Sequence, residues 1–133
     1  MKSLLPLVLI LGLTTVFGLR YRIKKGAIKE KKGSQILESE LGKKYGKRAT
    51  VVIFSTTFCS ECRAAKALIS DVTSTLSDIS YVEIDAESNL ELVRKVDIRS
   101  TPTTIFLDKS GFEIARATGA PKRDQLIKAI TSL

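Results

Sequence analysis

The chain has 133 residues, which is enough for one domain and a short appendage. Its two cysteines are too few for a disulfide-stapled scaffold, and the absence of histidine removes the commonest general base and metal ligand. The net charge of +8 is local, because residues 20–48 hold eleven basic and three acidic residues whereas residues 49–133 hold ten and eleven. A nucleic-acid-binding domain carries its basic surface on the fold. The charge distribution therefore argues against a nucleic-acid partner and for contact with a membrane surface.

Residues 3–19 contain no charged residue and are followed by a strongly basic segment. A helix of this length covers about 25 Å, and Tyr21 and Ile23 extend it toward the roughly 30 Å of a bilayer core. An uncleaved transmembrane helix over residues 1–23 and a cleaved signal peptide both fit this pattern. We favour the helix, because Lys2 is the only positive charge at the start and no Ala-x-Ala cleavage pattern follows. The sequence thus predicts an N-terminal anchor in membrane lipid.

The basic residues flank the predicted anchor unevenly. One lysine precedes it, and seven Lys or Arg residues lie between residues 20 and 32. Lys and Arg stay preferentially on the cytoplasmic side of a membrane. The bias predicts a single-pass membrane protein with its C-terminal domain in the cytoplasm, and an extracytoplasmic domain is the alternative. Residues 24–33 are polar and are expected to form a solvated basic juxtamembrane linker before a domain over residues 34–133.

Within residues 34–133 the hydrophobic pattern alternates between helices and strands. A helix is expected from Ser34 to Gly46. The charge-free run at residues 49–55 predicts a central strand buried on both faces, followed by a helix over residues 59–76. The later predicted elements are a strand at 80–84, a short helix that starts with a capping box at Ser88–Glu91, strands at 103–107 and 112–118, and a final helix after Pro121. From residue 49 the order is β-α-β-α-β-β-α, which predicts an α/β fold with helices on both faces of a sheet.

Cys59 and Cys62 lie in the first turn of the helix predicted over residues 59–76, directly after the strand at residues 49–55. The unpaired N–H groups and positive dipole end of a helix start stabilise a thiolate and lower its pKa. The i, i+3 spacing puts both sulfurs on one helix face, so the pair can form and break a disulfide with little backbone movement. Two zinc ligands or two inert cysteines are the alternatives. A closed zinc site needs about four ligands, and the chain has no further Cys or His.

Four motifs in register make residues 34–133 similar to the thioredoxin family. They are Thr56–Arg63 around the cysteines, Val82–Asp85, Val96–Thr103, and Thr118–Ala120. The resemblance implies a thioredoxin-like fold with a central mixed four-stranded sheet and helices on both faces, here preceded by the N-terminal transmembrane helix. It also implies protein disulfides as substrates, a reductase or membrane redox partner as the electron source, and no prosthetic cofactor.

The resemblance assigns roles to five residues. Cys59 would be the attacking thiolate, and Cys62 would resolve the mixed disulfide and release the reduced substrate. The Thr101–Pro102 bond would be cis and border the sulfurs, leaving the backbone of Thr101 to pair with an extended substrate chain. Phe58 would keep the apolar contact that thioredoxins make with a tryptophan at this position.

Besides Phe58, the positions of Glu61, Ile53 and Tyr81 depart from the family pattern. Glu61 stands where thioredoxins usually have proline, and its charge should raise the pKa of a neighbouring thiol. Ile53 replaces a buried aspartate that helps to deprotonate the second thiol, and Tyr81 replaces the lysine that accompanies it. We expect a membrane-tethered thiol–disulfide oxidoreductase that works in the reducing direction. The alternatives are a redox-idle thioredoxin-fold binding module at the membrane and, less favoured, a metal carrier that borrows ligands from a partner.

Overall fold

Ten helices and strands make up residues 4–133, the part of the chain that this computed structural model describes. In chain order they are α1 (Leu4–Lys24), β1 (Ile28–Glu30), α2 (Glu38–Leu41), β2 (Ala49–Ser55), α3 (Ser60–Thr73), β3 (Ile79–Asp85), α4 (Leu90–Lys95), β4 (Thr103–Asp108), β5 (Glu113–Thr118) and α5 (Arg123–Ser132). From β2 onward the order β-α-β-α-β-β-α is the one predicted from the hydrophobic periods.

The strands form one mixed sheet in the order β1-β5-β4-β2-β3. β2 pairs in parallel with β3 and antiparallel with β4, and β5 pairs antiparallel with both β4 and β1. All seven residues of β2 are buried, because this charge-free strand has a neighbour on each side and a helical layer on each face. The predicted α/β fold with a central mixed sheet is confirmed.

Successive strand residues point to opposite faces of the sheet, and both faces carry apolar side chains. Helices therefore cover both faces. α3 and α5 cover one face, whose core residues are Ala49, Val51, Ile53, Ala65, Ile69, Ile79, Phe106, Ala115, Leu126 and Ile130. The segment before β2 and α4 cover the other face, whose core residues are Ile36, Leu41, Val52, Phe54, Val82, Ile84, Leu92, Val96, Ile105 and Leu107. Of the apolar residues of α5, Leu126 and Ile130 are buried in the first of these cores, whereas Ile127 is 44% exposed.

α1 is an apolar helix of 21 residues whose side chains are all exposed. It is long and apolar enough to cross a membrane, and a signal sequence near the N-terminus fits the same description. The predicted anchor begins at residue 1, and its first residues, including Lys2, lie outside the described part of the chain. α1 therefore contributes nothing to the core of the domain and remains a candidate for membrane insertion.

The sheet has five strands instead of the predicted four, and the additional strand lies in the segment predicted to be a solvated linker. Ile28 pairs with Ala117 and Glu30 with Ala115, so β1 forms one edge of the sheet. The Lys31 N–H continues the pairing by donating to the Ile114 carbonyl at 3.0 Å. The prediction was wrong here because an edge strand tolerates the lysines that made this segment look like a linker.

The helix predicted from Ser34 to Gly46 is also wrong in extent, because only Glu38–Leu41 is helical. The chain before it is extended: Gln35 forms a bridge with Phe112, and the Ile36 N–H donates to the Gly111 carbonyl at 2.9 Å. The spacing of apolar residues resembled a helical stripe. The structure instead buries Ile36 from an extended segment and Leu41 from the short helix α2.

The predicted capping box at Ser88–Glu91 does not form. Asn89 is the N-cap residue of α4 and makes no side-chain capping hydrogen bond. The Ser88 hydroxyl donates instead to Asp85 Oδ2 at 2.7 Å, which tightens the turn after β3. Ser88 thus stabilises the strand that precedes it and leaves the helix start uncapped by a side chain.

Glu40 links α2 to α4 and gives a pH-dependent prediction. Burial alone would raise the pKa of the Glu40 carboxyl, but hydrogen bonds from the Lys95 ammonium and the Leu37 N–H outweigh it and hold the pKa below its usual range. A depressed carboxyl pKa stabilises the fold above the unfolded-state pKa, and this stabilisation is lost as pH falls through the folded-state pKa. Glu40→Gln should therefore lower the free energy of unfolding at pH 7 by less than about 1 kcal/mol.

Urea unfolding followed at pH 7 and in acid measures this effect. The difference between Glu40→Gln and the parent protein should shrink as pH falls through the acid range in which the carboxyl becomes protonated. The variant Lys95→Met should show a loss with the same pH trend, because it removes the ammonium from the same pair. A difference between Glu40→Gln and the parent that is independent of pH would contradict this assignment.

Candidate active site

The residues predicted to do chemistry lie at the end of the sheet where β2 finishes and β4 begins. In the antiparallel β2–β4 pair Phe54 is opposite Thr103, so the loop after β2 and the loop before β4 leave the sheet side by side. The first loop leads to Cys59, and the second carries Pro102. Thr118 is opposite Thr103 in the β4–β5 pair, which brings the turn after β5 to the same end. The topology thus gathers three loops around the start of α3.

Cys59 and Cys62 form a disulfide at the start of α3, with Cα atoms 5.1 Å apart. Cys59 is the N-cap residue, and its Sγ accepts the N–H of Cys62 at 3.1 Å. Donors at a helix start stabilise negative charge, so this N–H favours a thiolate on Cys59 after reduction. Cys62 is only 1% exposed, whereas Cys59 is partly exposed. Cys59 is therefore the more accessible of the two cysteines.

A lysine from outside the predicted domain contacts the residue before Cys62. Lys25 Nζ lies 2.8 Å from Glu61 Oε1, and each side chain is about half exposed. The hydrogen bond to Glu61 raises the pKa of the Lys25 ammonium above its ordinary value. An ammonium this close opposes the effect of the Glu61 carboxylate on a nearby thiolate. Sequence reasoning missed the pair because its members are 36 positions apart and Lys25 was assigned to a solvated linker.

The two elements predicted to bind substrate differ in exposure. Phe58 is 97% exposed, so its ring packs against nothing in its own domain and is available to a partner. The Thr101–Pro102 bond is cis, as the resemblance implied. Pro102 is buried, and its carbonyl accepts the N–H of Gly119 at 2.8 Å, whereas Thr101 is partly exposed. The loop before β4 is thus fixed by the turn after β5 and leaves Thr101 accessible.

The sheet face under α3 carries no carboxylate at the positions where thioredoxins have their buried aspartate and lysine. Ile53 is completely buried among apolar neighbours. Tyr81 donates its hydroxyl to Glu83 Oε1 at 2.8 Å, and burial together with that carboxylate raises the pKa of Tyr81 far above its ordinary value. Neither side chain can therefore accept a proton from a thiol near neutral pH.

Thr104 was not singled out from the sequence, yet it is the cross-strand neighbour of Ile53. Among residues 4–133, its Oγ1 is the one buried side-chain oxygen or nitrogen without a hydrogen-bond partner. Leaving a hydroxyl buried and unpaired costs about 1–3 kcal/mol. Thr104→Val, which replaces the hydroxyl with a methyl of similar shape, should therefore raise the free energy of unfolding by roughly 1 kcal/mol.

Thr104→Ser is the matched control, because it keeps the hydroxyl and removes the methyl group. It should lower the free energy of unfolding by about 1 kcal/mol, the cost of one lost buried methyl group. Urea unfolding of the three proteins compares them directly. A less stable Thr104→Val would mean that the hydroxyl has a partner, and would contradict its assignment as an unpaired group.

The sequence and fold agree with those of known proteins. A family model described as Thioredoxin matches residues 30–132. The chain is 31% identical over 96 residues to thioredoxin of Gallus gallus, covering 72% of this chain and 89% of that one. It is 38% identical over 77 residues to thioredoxin H5 of Oryza sativa subsp. japonica, covering 58% of this chain. The match spans 56% of the rice protein, and a match to Arabidopsis thaliana thioredoxin H2 spans 66% of that relative.

Solved structures extend the agreement to the backbone. Thioredoxin NaTrxh from Nicotiana alata aligns with a TM-score of 0.59 and 28% identity, covering 65% of this chain and 73% of that one. The thioredoxin of Fasciola hepatica aligns with the same TM-score and 25% identity, covering 65% and 82%. The family match includes the Cys59–Cys62 pair and the cis Thr101–Pro102 bond. This chain belongs to the thioredoxin family.

Proposed function

We propose that the chain is a membrane-tethered thiol–disulfide oxidoreductase that reduces disulfides in protein substrates. The observation that carries the proposal is the Cys59–Cys62 pair itself, with the exposed sulfur at the N-cap of α3 and the buried sulfur one turn later. A pair at disulfide distance cycles between dithiol and disulfide with little movement of the backbone. Family membership supports the same chemistry.

The reaction transfers two electrons in two exchange steps. The Cys59 thiolate attacks one sulfur of the substrate disulfide, a mixed disulfide forms, and the other substrate sulfur leaves as a thiolate. Cys62 loses its proton to solvent and attacks Cys59 Sγ, which releases the second substrate thiolate. The two substrate thiolates take up protons from solvent, so the substrate is reduced and the Cys59–Cys62 pair is oxidised. An external dithiol, from a reductase or a membrane redox partner, must reduce the pair for another turnover.

Three residues around the sulfurs are proposed to hold the substrate. The accessible backbone of Thr101, fixed by the cis bond to Pro102, would pair with an extended substrate segment beside Cys59. The exposed ring of Phe58 would contact apolar side chains of the same segment. Both contacts place the substrate disulfide against the exposed sulfur and keep Cys62 shielded until the mixed disulfide has formed.

Catalysed reduction of insulin by dithiothreitol tests the proposed activity. The full chain in detergent should accelerate the precipitation of the reduced insulin chains, and a Cys59→Ser/Cys62→Ser variant should leave the uncatalysed rate unchanged. The redox-idle binding module is the second candidate, favoured by Ile53 and Tyr81 in place of the family's proton-handling pair. Insulin reduction no faster than that of the double variant would support the binding module and overturn the oxidoreductase.

The tether and its orientation are part of the proposal. α1 supplies a span of 21 residues, and the basic residues after it favour a cytoplasmic domain. A membrane-impermeant thiol reagent, applied to intact and lysed cells with and without prior reduction, tests both. Labelling of Cys59 and Cys62 only after lysis supports a cytoplasmic reductase. Labelling of membrane-bound protein in intact cells would overturn this orientation, and protein found in the soluble fraction would overturn the tether.

A further inference from the structure

We propose that the active site is fixed at the membrane surface and that its substrates are disulfides of membrane proteins within a few residues of the bilayer. This inference rests on the proposed function and adds the substrate class. It follows from three features of the described chain. They are the short connection between α1 and the site, the contacts that hold this connection to the site, and the exposed ring of Phe58.

The connection between the anchor and the domain is almost as short as a chain allows. α1 ends at Lys24, and two residues later the Gly26 N–H donates to the Thr118 carbonyl at 2.7 Å. Two residues of extended chain cover at most about 7 Å. Thr118 lies at the end of the sheet where Cys59 and Pro102 also lie. The domain therefore meets the end of α1 through its active-site end and leaves its other end away from the membrane.

The connection is also held in place on both sides. Lys25 reaches Glu61, which lies between the two cysteines in sequence, at 2.8 Å. Gly26 is buried with φ +82°, and a Cβ there would lie 2.1 Å from the Ala120 carbonyl oxygen. Only glycine permits so close an approach in this backbone conformation. In the turn after β5, the Gly119 N–H donates to the Pro102 carbonyl at 2.8 Å. A continuous set of contacts thus joins the anchor, the turn after β5 and the loop before β4.

β1 adds a further restraint directly after this connection. Its three residues pair with β5, so the chain cannot lengthen the tether by peeling away without losing sheet hydrogen bonds. A thioredoxin domain on a flexible tether would sample disulfides over tens of ångströms. This arrangement instead holds the sulfurs near the depth at which α1 leaves the bilayer, whichever side of the membrane the domain occupies.

Phe58 provides an independent indication of the surroundings. It is 97% exposed and directly precedes Cys59. The other exposed large apolar side chains of residues 25–133 are much less exposed, at 44–53%. Phe, Trp and Leu are the side chains that interfacial segments bury at the boundary between headgroups and acyl chains. An apolar ring beside the attacking sulfur suits a substrate segment that emerges from the bilayer, where apolar and interfacial side chains are common.

The test uses the full chain, pre-reduced at Cys59 and Cys62, in vesicles of zwitterionic lipid with a minority of anionic lipid. The first substrate is a synthetic transmembrane helix with a disulfide-closed loop directly after the span. The second is the same peptide with the loop moved beyond a Gly/Ser spacer of about 40 residues, whose root-mean-square length is roughly 35 Å. A single turnover is measured for each, so no external reductant is needed.

The matched variants change the tether and leave the site intact. One carries the same Gly/Ser spacer between Lys24 and Lys25, which keeps the Lys25–Glu61 pair and β1 in the domain. The control carries the spacer after Leu133. The parent protein and the control should reduce the near loop roughly tenfold faster than the distant one, because the fixed site has a high effective concentration only near the membrane. The variant with the longer tether should lose this preference.

The outcomes separate this inference from the proposed function. Reduction of a soluble disulfide peptide by the pre-reduced parent protein shows that the oxidoreductase is active. Suppose that this reaction succeeds but the near loop reacts no faster than the distant loop. The membrane-surface substrate class is then overturned, and the proposed oxidoreductase function stands. A preference that survives the longer tether would also overturn it. Failure to reduce the soluble peptide would overturn the proposed function itself.

Discussion

Cys62→Ser is expected to trap the disulfide partners of the proposed oxidoreductase as covalent complexes. Cys59 keeps its exposed sulfur at the N-cap of α3 and still attacks a disulfide, but the serine hydroxyl cannot resolve the mixed disulfide. Turnover should fall by roughly a thousandfold or more, because resolution then depends on a bimolecular reaction with an external thiol. Affinity purification of the variant, followed by electrophoresis without reductant, should recover covalent complexes that disappear when reductant is added.

Cys59→Ser is the matched control for this experiment. It leaves Cys62, which is 1% exposed, as the remaining thiol, so it should trap far fewer partners and show no turnover. A redox-idle binding module would give no covalent complexes with either variant. Equal trapping by the two variants would contradict the assignment of Cys59 as the attacking sulfur.

Arg116→Met is expected to cause a large loss of stability, because it removes one partner of a buried ion pair. Glu113 is 2% exposed, and the Arg116 guanidinium contacts its carboxylate at two points, including Nη2 to Oε2 at 2.8 Å. Arg116 also donates to the Val96 carbonyl at 2.9 Å, near the end of α4. Removing one partner of a buried ion pair leaves an uncompensated charge, and the free energy of unfolding should fall by about 3–5 kcal/mol.

Urea unfolding of the full chain in detergent measures this loss. The double variant Glu113→Gln/Arg116→Met should recover part of it, because the neutral amide is cheaper to bury than an unpaired carboxylate. Arg99→Met is the matched control: its pair with Asp97 is largely exposed, so the midpoint should not change. A loss below about 1 kcal/mol for Arg116→Met would mean that the pair behaves as an exposed one.

The order of elements and the cysteine site could be predicted from sequence because each depends on local signals. The charge-free strand β2, the alternation of helical and strand periods, and the Cys-x-x-Cys spacing at a helix start are each encoded by neighbouring residues. Resemblance added the cis Thr101–Pro102 bond, which no local pattern establishes. These signals locate both cysteines and the loop that faces them, and they give the α/β fold.

The features that could not be predicted depend on tertiary pairing. β1 is an edge strand whose lysines look like a linker, and only its pairing with β5 makes it a strand. Glu113 lies within the strand predicted at residues 112–118, and no local pattern indicates that it is buried while the preceding Phe112 is 47% exposed. Burial of Glu113 is possible only because Arg116 pairs with it, since an unpaired charge would be expelled from the core.

The contact between Lys25 and Glu61 is the most consequential feature that sequence patterns missed. It joins residues 36 positions apart and brings the end of α1 to the active site. No periodicity or motif encodes such a contact, because it depends on β1 folding back along β5. The substrate class proposed above uses this contact together with the short connection after α1 and the exposed ring of Phe58.

The central claim is that the Cys59–Cys62 pair exchanges electrons with a disulfide of another protein. The most direct test mixes the pre-reduced full chain with an equimolar protein disulfide, quenches the reaction with acid, alkylates the thiols and counts the alkyl groups by mass spectrometry. We expect the chain to carry two fewer alkyl groups than the pre-reduced chain alkylated before mixing, and the substrate to carry two more than the unreacted substrate. A chain that keeps both alkyl groups, while a small-molecule disulfide oxidises it readily, would contradict the claim.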